Sequence, residues 1–386
     1  MLIPLSRARE IIERVSLPSL KPVPTRIREA VGRISCSELR AGSDFPEADL
    51  SVMDGYAFKL DDLKRGKLRT WRKAFPWSDS LKLEEGEAVY VTTGTKIPEG
   101  ADTVARIEGS KVIDGFLQVS EEVFRWKDVE KRGEVIRRGE VILRRGEVIR
   151  PYHMGLLTAL GVEEVQVCRA KVGVFGVGDE LHPFDSPPAE GKRPDSVSPV
   201  LTSLLSRVFD VQYYGVIRDD EEEIIETVRR GVEENDMVLA IGGSSVGEKD
   251  LTKGALAKCG NLLFEGINVN VIKRGSVGIV KGKPVVILPG QIVAAVCTFH
   301  EHGLHILERM LGVELRRSDD LPLGSDLEVR HKMDSLYLVS IRGGRAYPLR
   351  WGVGLYKELT EAEGFTILKR GRKYVEGETI HVQYLL

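Results

Sequence analysis

Five small residues stand between an apolar run and a carboxylate near the middle of this chain. Residues 237–241 read Met-Val-Leu-Ala-Ile; Gly242, Gly243, Ser244, Ser245 and Gly247 follow, and then Asp250. The apolar run has the length and composition of a buried strand. A strand that ends in Gly and Ser at a helix start leaves backbone N–H groups without partners, and these, with the helix dipole, favour an anion such as phosphate. Asp250 then sets a carboxylate at the edge of the anion site, which is repulsive unless a divalent cation neutralises it.

Other polar groups fall at expected strand ends. They are Asp54 before Gly55, Thr93 after 88–92, Asp179 and Glu180 after Gly-Val-Gly, and the pair Asp219 and Asp220. The set supplies acids and phosphate cradles, with no Ser–His–Asp arrangement and no Walker lysine. It suits a phosphorylated substrate held with a cation. Taken singly, each acid also has a structural reading: Asp54 as a turn residue, Asp219 or Asp220 as a helix cap, Glu180 as a solvated loop residue. His300, His302 and His305 place only the last two on one helical face, and structural zinc takes four ligands. The expectation there is a solvated helix end.

The elements that carry these groups follow a recognisable order. Helical spacing covers 5–15, with Ser6 as the expected cap, and 26–39 after Thr25. An Asp-Gly at 54–55 between short apolar segments predicts a hairpin turn. Short β-like pieces follow to about residue 124. RGEVIR at 132–137, RGEVIL at 138–143 and RGEVIR at 145–150 form a threefold echo, expected as short strands with Gly turns. Pro151 opens a helix that Gly161 can end. Strands at 171–175, 211–217, 237–241 and 283–288 then alternate with helices at 194–207, 221–232 and 292–311. That alternation predicts a parallel sheet with ligands outside its carboxyl ends. Strand-like segments with frequent Gly dominate after residue 312.

The bulk numbers narrow the function classes. The chain has 386 residues, 42% hydrophobic, with a net charge of −2 and 30% charged residues. It is long enough for more than one core. Near-neutral charge without a basic stripe excludes a nucleic-acid partner. Cys36, Cys168, Cys259 and Cys297 form no C-x-x-C and read as buried small residues in a reducing compartment. With no signal-peptide h-region and no apolar run near 18 residues, the expected location is cytoplasmic, off the membrane.

Several motifs in order resemble one family. SVMDGYA at 51–57, TTGTKIPEGADTVARIE at 92–108, GDEL at 178–181, RDD at 218–220, GGSSVGEKD at 242–250 and LPG at 288–290 are similar to those of MoeA, the molybdopterin molybdenumtransferase, and of the gephyrin E domain. EAVGRISCSEL at 29–39 and the stretch 131–161 fit the same pattern. The resemblance spans roughly residues 1–312 and is weaker beyond.

The resemblance implies a multidomain α/β plus β protein. Residues 1–43 and 125–168 would form an elongated helical and linker domain, 44–124 a β-rich domain, 169–312 a MogA-like three-layer α/β domain with a parallel-rich sheet, and 313–386 a C-terminal β-barrel. It implies a homodimer that inserts molybdate or tungstate into adenylylated molybdopterin with release of AMP, dependent on Mg2+, with a MogA-type adenylyltransferase as partner. The implied catalytic residues are Asp54, Thr93, Glu180 and Asp250, with Asp54, Glu180 and Asp250 as magnesium ligands. The implied substrate-binding residues are Gly242, Gly243, Ser244, Ser245, Gly247, Asp219, Asp220, Lys273, Pro289 and Gly290. Departures from the family pattern fall at Val135, at Arg274-Gly275-Ser276-Val277 after the retained Lys273, at Gln291, at Val197 and at Gly176. They motivate an alternative: a weakened, MoeA-like scaffold that binds molybdopterin or a partner protein without turnover. A MogA-like adenylyltransferase is a third reading.

Overall fold

A computed structural model describes residues 2–243 and 250–385, so Ser244, Ser245 and Gly247 of the expected anion site lie outside the described residues. The chain divides into two compact units. One comprises Glu38–Arg144 and Arg150–Glu164, the other Met1–Ser37, Arg145–Ile149 and Val165–Leu386.

The smaller unit is built on a six-stranded sheet. Its central strands are β1 (Gly55–Phe58), β2 (Leu68–Ala74), β3 (Glu87–Val91) and β4 (Thr103–Arg106), in the order β4-β1-β3-β2, continued by Phe116–Val119 and Ser110–Ile113. β2 and β3 are parallel, and the other pairs are antiparallel. Ala57, Val89, Val91 and Val104 pack on one face and Phe58, Leu68, Ala88 and Ala105 on the other. Alternation along each strand divides them in this way.

The Asp54-Gly55 hairpin expectation fails here. Leu50–Ser51 pairs with Val129–Glu130, whereas β1 pairs with β3 and β4, so the dipeptide joins strands of different sheets. Gly55 is required for a packing reason: a Cβ there would stand 2.0 Å from the Ala105 carbonyl oxygen. The threefold echo makes turn-and-bridge units rather than three strands. Gly133, Gly139 and Gly146 all take positive φ, and the residues after them bridge Phe45, Leu39–Arg40 and Ile34 in turn.

In the larger unit, α1 (Leu5–Arg14) starts after Pro4, with Ser6 inside its first turn, so the Ser6 cap is also corrected. The helix expected over 26–39 shrinks to Ile27–Ala30, because Gly32 turns the chain at φ 83° and Ile34–Ser35 joins a small sheet with Val167 and Cys168. The main sheet has six strands: β5 (Lys171–Val177), β6 (Asp210–Ile217), β7 (Met237–Gly242), β8 (Asn261–Phe264), β9 (Ser276–Val280) and β10 (Lys283–Leu288). Their order is β6-β5-β7-β10-β9-β8; the first four are mutually parallel, and β9 is antiparallel to both of its neighbours, β10 and β8.

Both faces of this sheet are covered, which is why 237–241 is apolar throughout. Val172, Val174, Leu239 and Leu288 face α2 (Ser198–Ser206) and the helical run beginning at Ile292. Phe175, Val238, Ala240 and Ile287 face α3 (Glu221–Glu234) and α4 (Leu251–Cys259). Beyond it, Asp334–Arg342, Gly364–Leu368, Thr379–Tyr384 and Ser318–Pro322 form a further antiparallel sheet. A bridge from Leu323 to Ala346 curls it toward closure.

The histidine segment departs most from expectation. Ile292–Thr298 and Leu304–Leu311 are joined by a π-helical turn, Phe299–Gly303, which changes the side-chain spacing between them. His300, His302 and His305 are buried rather than solvated. Burial pushes the His300 and His302 imidazoles down to about 4. Among the described residues neither ring nitrogen of His302 has a hydrogen-bond partner, and its ring meets Phe264 edge-on at 5.2 Å. Between them lies Glu301, fully buried. Arg9 grips it with both guanidinium arms, Nη2 to Oε1 at 2.7 Å and Nε to Oε2 at 3.1 Å, while Gln383 Nε2 donates to Oε1 at 2.5 Å. Burial alone would raise the Glu301 carboxyl, but the Arg9 charge and these hydrogen bonds outweigh it and hold it below the usual range. Cys36, Cys168 and Cys297 are buried, and Cys259 is partly exposed. Among the described residues no helix is long and apolar enough to cross a membrane.

Candidate active site

In the smaller unit, strand pairing brings Asp54 to Thr93. Asp54 precedes β1 and Thr93 follows β3, and the two strands pair with Gly55 opposite Val91. Asp54 Oδ1 accepts from the Thr93 backbone N–H at 2.7 Å and from its hydroxyl at 3.1 Å. The corner is braced by Gly94 N–H donating to the Ser51 carbonyl at 2.7 Å and Ser51 N–H to the Thr95 carbonyl at 2.8 Å. Both Asp54 and Thr93 are exposed. One carboxylate oxygen is thus fixed while the group as a whole faces water, which suits ligand binding.

In the larger unit, the carboxyl ends of the parallel strands gather the remaining candidates. Val177 of β5, Ile217 of β6, Gly242 of β7 and Leu288 of β10 end at the same side of the sheet. Asp179 and Asp219 leave their strands there and exchange backbone-to-carboxylate contacts, at 3.2 Å and 3.4 Å. Asp220 caps α3, accepting from Glu223 N–H at 2.9 Å, so the carboxylates of Asp219 and Asp220 each accept one backbone N–H. Glu180 is exposed, with the Arg193 guanidinium 3.5 Å away. Antiparallel β9 begins opposite the end of β10, so the exposed Lys273 sits at this same end.

Gly242 and Gly243 form the tightest part of the edge. Their φ values are 92° and 69°. A Cβ on Gly243 would stand 2.0 Å from Thr252 Oγ1, and that hydroxyl donates to the Gly242 carbonyl at 3.0 Å. A Cβ on Gly290 would come within 3.6 Å of Gly242 Cα, so the two backbones approach without intervening side chains. Such bare backbone is what a bulky anion needs for close approach.

Asp250 has two structural duties. It is the N-cap of α4, accepting from Lys253 N–H at 3.3 Å, and its Oδ2 pairs with Lys253 Nζ at 2.6 Å. Lys253 was absent from the sequence-based candidates, although its position three residues after an N-cap carboxylate marks a same-face pair. Arg193 had no such local signal, because the parallel pairing of Leu181–His182 with Arg193–Pro194 brings it to Glu180. Val135 is exposed, and the Ser276 hydroxyl is tied to the Glu265 carbonyl at 2.8 Å. Among the described residues no group of three or more His, Cys, Asp or Glu side chains is arranged to hold a metal.

Two family descriptions match the chain: "MoeA N-terminal region (domain I and II)" over residues 3–161 and "Probable molybdopterin binding domain" over 173–309. A protein of Methanocaldococcus jannaschii named for molybdopterin biosynthesis is 30% identical, the match covering 100% of this chain and 98% of that one. This chain belongs to the MoeA family. The molybdopterin molybdenumtransferase of Haemophilus influenzae is 32% identical over 75% of this MoeA-family chain and 74% of its own. The crystal structure of a MoeA protein of Pyrococcus horikoshii superposes with a TM-score of 0.83 at 25% identity, covering 100% of this chain and 99% of the other. A second structure from that organism gives 0.78 at 26%, covering 100% of both chains. The chain is accordingly a transferase of molybdenum cofactor biosynthesis, and the likenesses do not favour the inactive scaffold.

Proposed function

We propose that this MoeA-family chain inserts molybdate or tungstate into adenylylated molybdopterin and releases AMP. The observation that carries the reading is the strand-end edge of the larger unit, where Gly242, Gly243 and Gly290 bare the backbone beside Asp219, Asp250 and Lys273. That edge offers N–H groups, a lysine and carboxylates to a molecule with a phosphate linkage. Substrate binding is assigned to Gly242, Gly243, Asp219, Asp220, Lys273, Pro289 and Gly290, together with Ser244, Ser245 and Gly247. Asp54, Thr93, Glu180 and Asp250 are assigned to the reaction.

Exposed carboxylates fit magnesium, which is usually held by one or two carboxylates plus substrate phosphates. Asp54 in the smaller unit and, separately, Glu180 and Asp250 in the larger unit are the carboxylates assigned to it, and the ion would supply neutralisation of phosphate charge. Asp250 is the least available of the three, because its carboxylate is paired with Lys253. The chain's own groups do the rest: the bared glycines seat the phosphates, Lys273 offsets their charge, and Thr93 fixes the Asp54 carboxylate. A homodimer in the cytoplasm, the four-part domain division and supply of the adenylate by a MogA-type adenylyltransferase belong to the same reading.

The test is AMP release from adenylylated molybdopterin, with molybdate and with tungstate, with and without magnesium. Release that needs an oxyanion and magnesium is the expected result. No release above background with either oxyanion would overturn the reading.

A further inference from the structure

We propose that Phe75 and Trp77 form an aromatic shelf that stacks on a flat heterocycle of the substrate, beside Asp54 and Thr93. The occupant rests on the transferase reading above; the shelf itself rests on geometry. β2 and β3 run parallel, with Lys73 opposite Tyr90 and Ala74 opposite Val91, so the two chains leave the sheet side by side. β3 continues into Thr92 and Thr93, and β2 continues into Phe75, Pro76 and Trp77. The neighbourhood is direct: Pro76 Cγ is 3.8 Å from where a Cβ on Gly94 would stand.

The two rings are stacked, with centroids 5.2 Å apart and planes 5° from parallel. A tight turn holds them, with Ser78 N–H donating to the Phe75 carbonyl at 2.8 Å and Phe75 N–H to Ser78 Oγ at 3.0 Å. Trp77 is nevertheless 81% exposed. One indole face lies on Phe75, and the other is left to water. A fixed, solvated indole face next to fixed polar groups is how proteins stack flat heterocycles, because offset stacking uses the ring faces and every such heterocycle has one. Adenylylated molybdopterin carries two candidates, the pterin and the adenine, and their shared chemistry is a planar nitrogen heterocycle.

The full chain labelled with 5-fluorotryptophan gives one 19F resonance for each of its four tryptophans, and Trp77 is assigned by loss of its signal in Trp77→Phe. AMP and neopterin are titrated separately. The Trp77 resonance is expected to shift with one of them, which identifies the ring. In turnover assays Trp77→Ala is expected to raise KM roughly tenfold with kcat little changed, while Trp77→Phe keeps most of the affinity. A Trp77 resonance that neither probe moves, or that moves with protein concentration alone because a second copy covers the shelf, would overturn the proposal. Lack of AMP release by the wild-type chain would defeat the transferase reading, and the titration, which needs no turnover, would still decide the shelf.

Discussion

Asp54 and Thr93 lie 39 positions apart in the chain, yet both donors of Thr93 converge on one Asp54 oxygen, at 2.7 Å from the backbone and 3.1 Å from the hydroxyl. The contact costs little to maintain, because paired strands already hold the two residues together. It fixes an exposed carboxylate in one orientation, which is what a group binding a charged substrate requires.

Asp54→Asn keeps an acceptor for the Thr93 N–H and removes the charge. Turnover is expected to fall roughly 10–100-fold. Stability should change by no more than about 0.5 kcal/mol, since the group is exposed. Thr93→Val, which retains the backbone contact, should have a smaller effect. AMP-release kinetics and urea denaturation measure the two quantities; equal activity of Asp54→Asn and wild type would remove Asp54 from the reaction.

Asp250 combines a cap with a proposed role in the reaction, and two variants separate them. Asp250→Ala is expected to lose about 1 kcal/mol of stability through the missing N-cap as well as activity. Asp250→Asn retains the cap acceptor, so it should stay near wild-type stability while losing turnover. If Asp250→Asn turns over normally, the residue is only a cap.

The Arg9–Glu301 pair ties α1 to the buried π-helical turn. Arg9→Met leaves a fully buried carboxylate without its cation. The expected loss is roughly 3 kcal/mol, the low end for a broken buried pair because Arg9 is partly exposed. Glu301→Gln, which removes the charge with its partner still present, should lose less. Denaturant midpoints at neutral pH decide between them, and equal losses would show that the pairing charge does not matter.

Stability should fall as the solution is acidified through the range where the buried histidines are asked to protonate. His300 and His302 have folded values of about 4, against about 6.5 in the unfolded chain. Between those values the unfolded state binds more protons, so stability rises with pH. The contribution is complete above about 6.5 and is lost as pH falls toward about 4. The depressed Glu301 carboxyl adds a further loss as pH drops through its own lowered value. A His302→Phe variant should flatten the dependence of Tm on pH over this window; an unchanged slope would assign it to other groups.

Much of the α/β unit was legible from local pattern. The strands at 283–288 and 237–241 and the helix after Asp220 stand at or within a residue or two of their expected places. Their signals are short-range: apolar runs bounded by glycine, and an acid before a helix whose first turn is also acidic. The candidate carboxylates were legible as residue types for the same reason. The errors share one cause. Asp54-Gly55 has the composition of a hairpin turn, but β1 finds better partners in β3 and β4, and the clash that bars any side chain at Gly55 comes from Ala105, 50 positions away.

The sequence by itself determined the central strands of the α/β unit, where the bared backbone of Gly242 and Gly243 falls, and which family the motifs join. Tertiary structure alone decided how the side chains are used. It buried His300, His302 and Glu301 through a π turn that no periodicity announces, gave Glu301 to Arg9, brought Arg193 to Glu180, and set Phe75 and Trp77 beside Thr93. The physical reason is range. Backbone propensity and capping act within a few residues, whereas burial, ion pairing and strand register join groups that the chain keeps far apart.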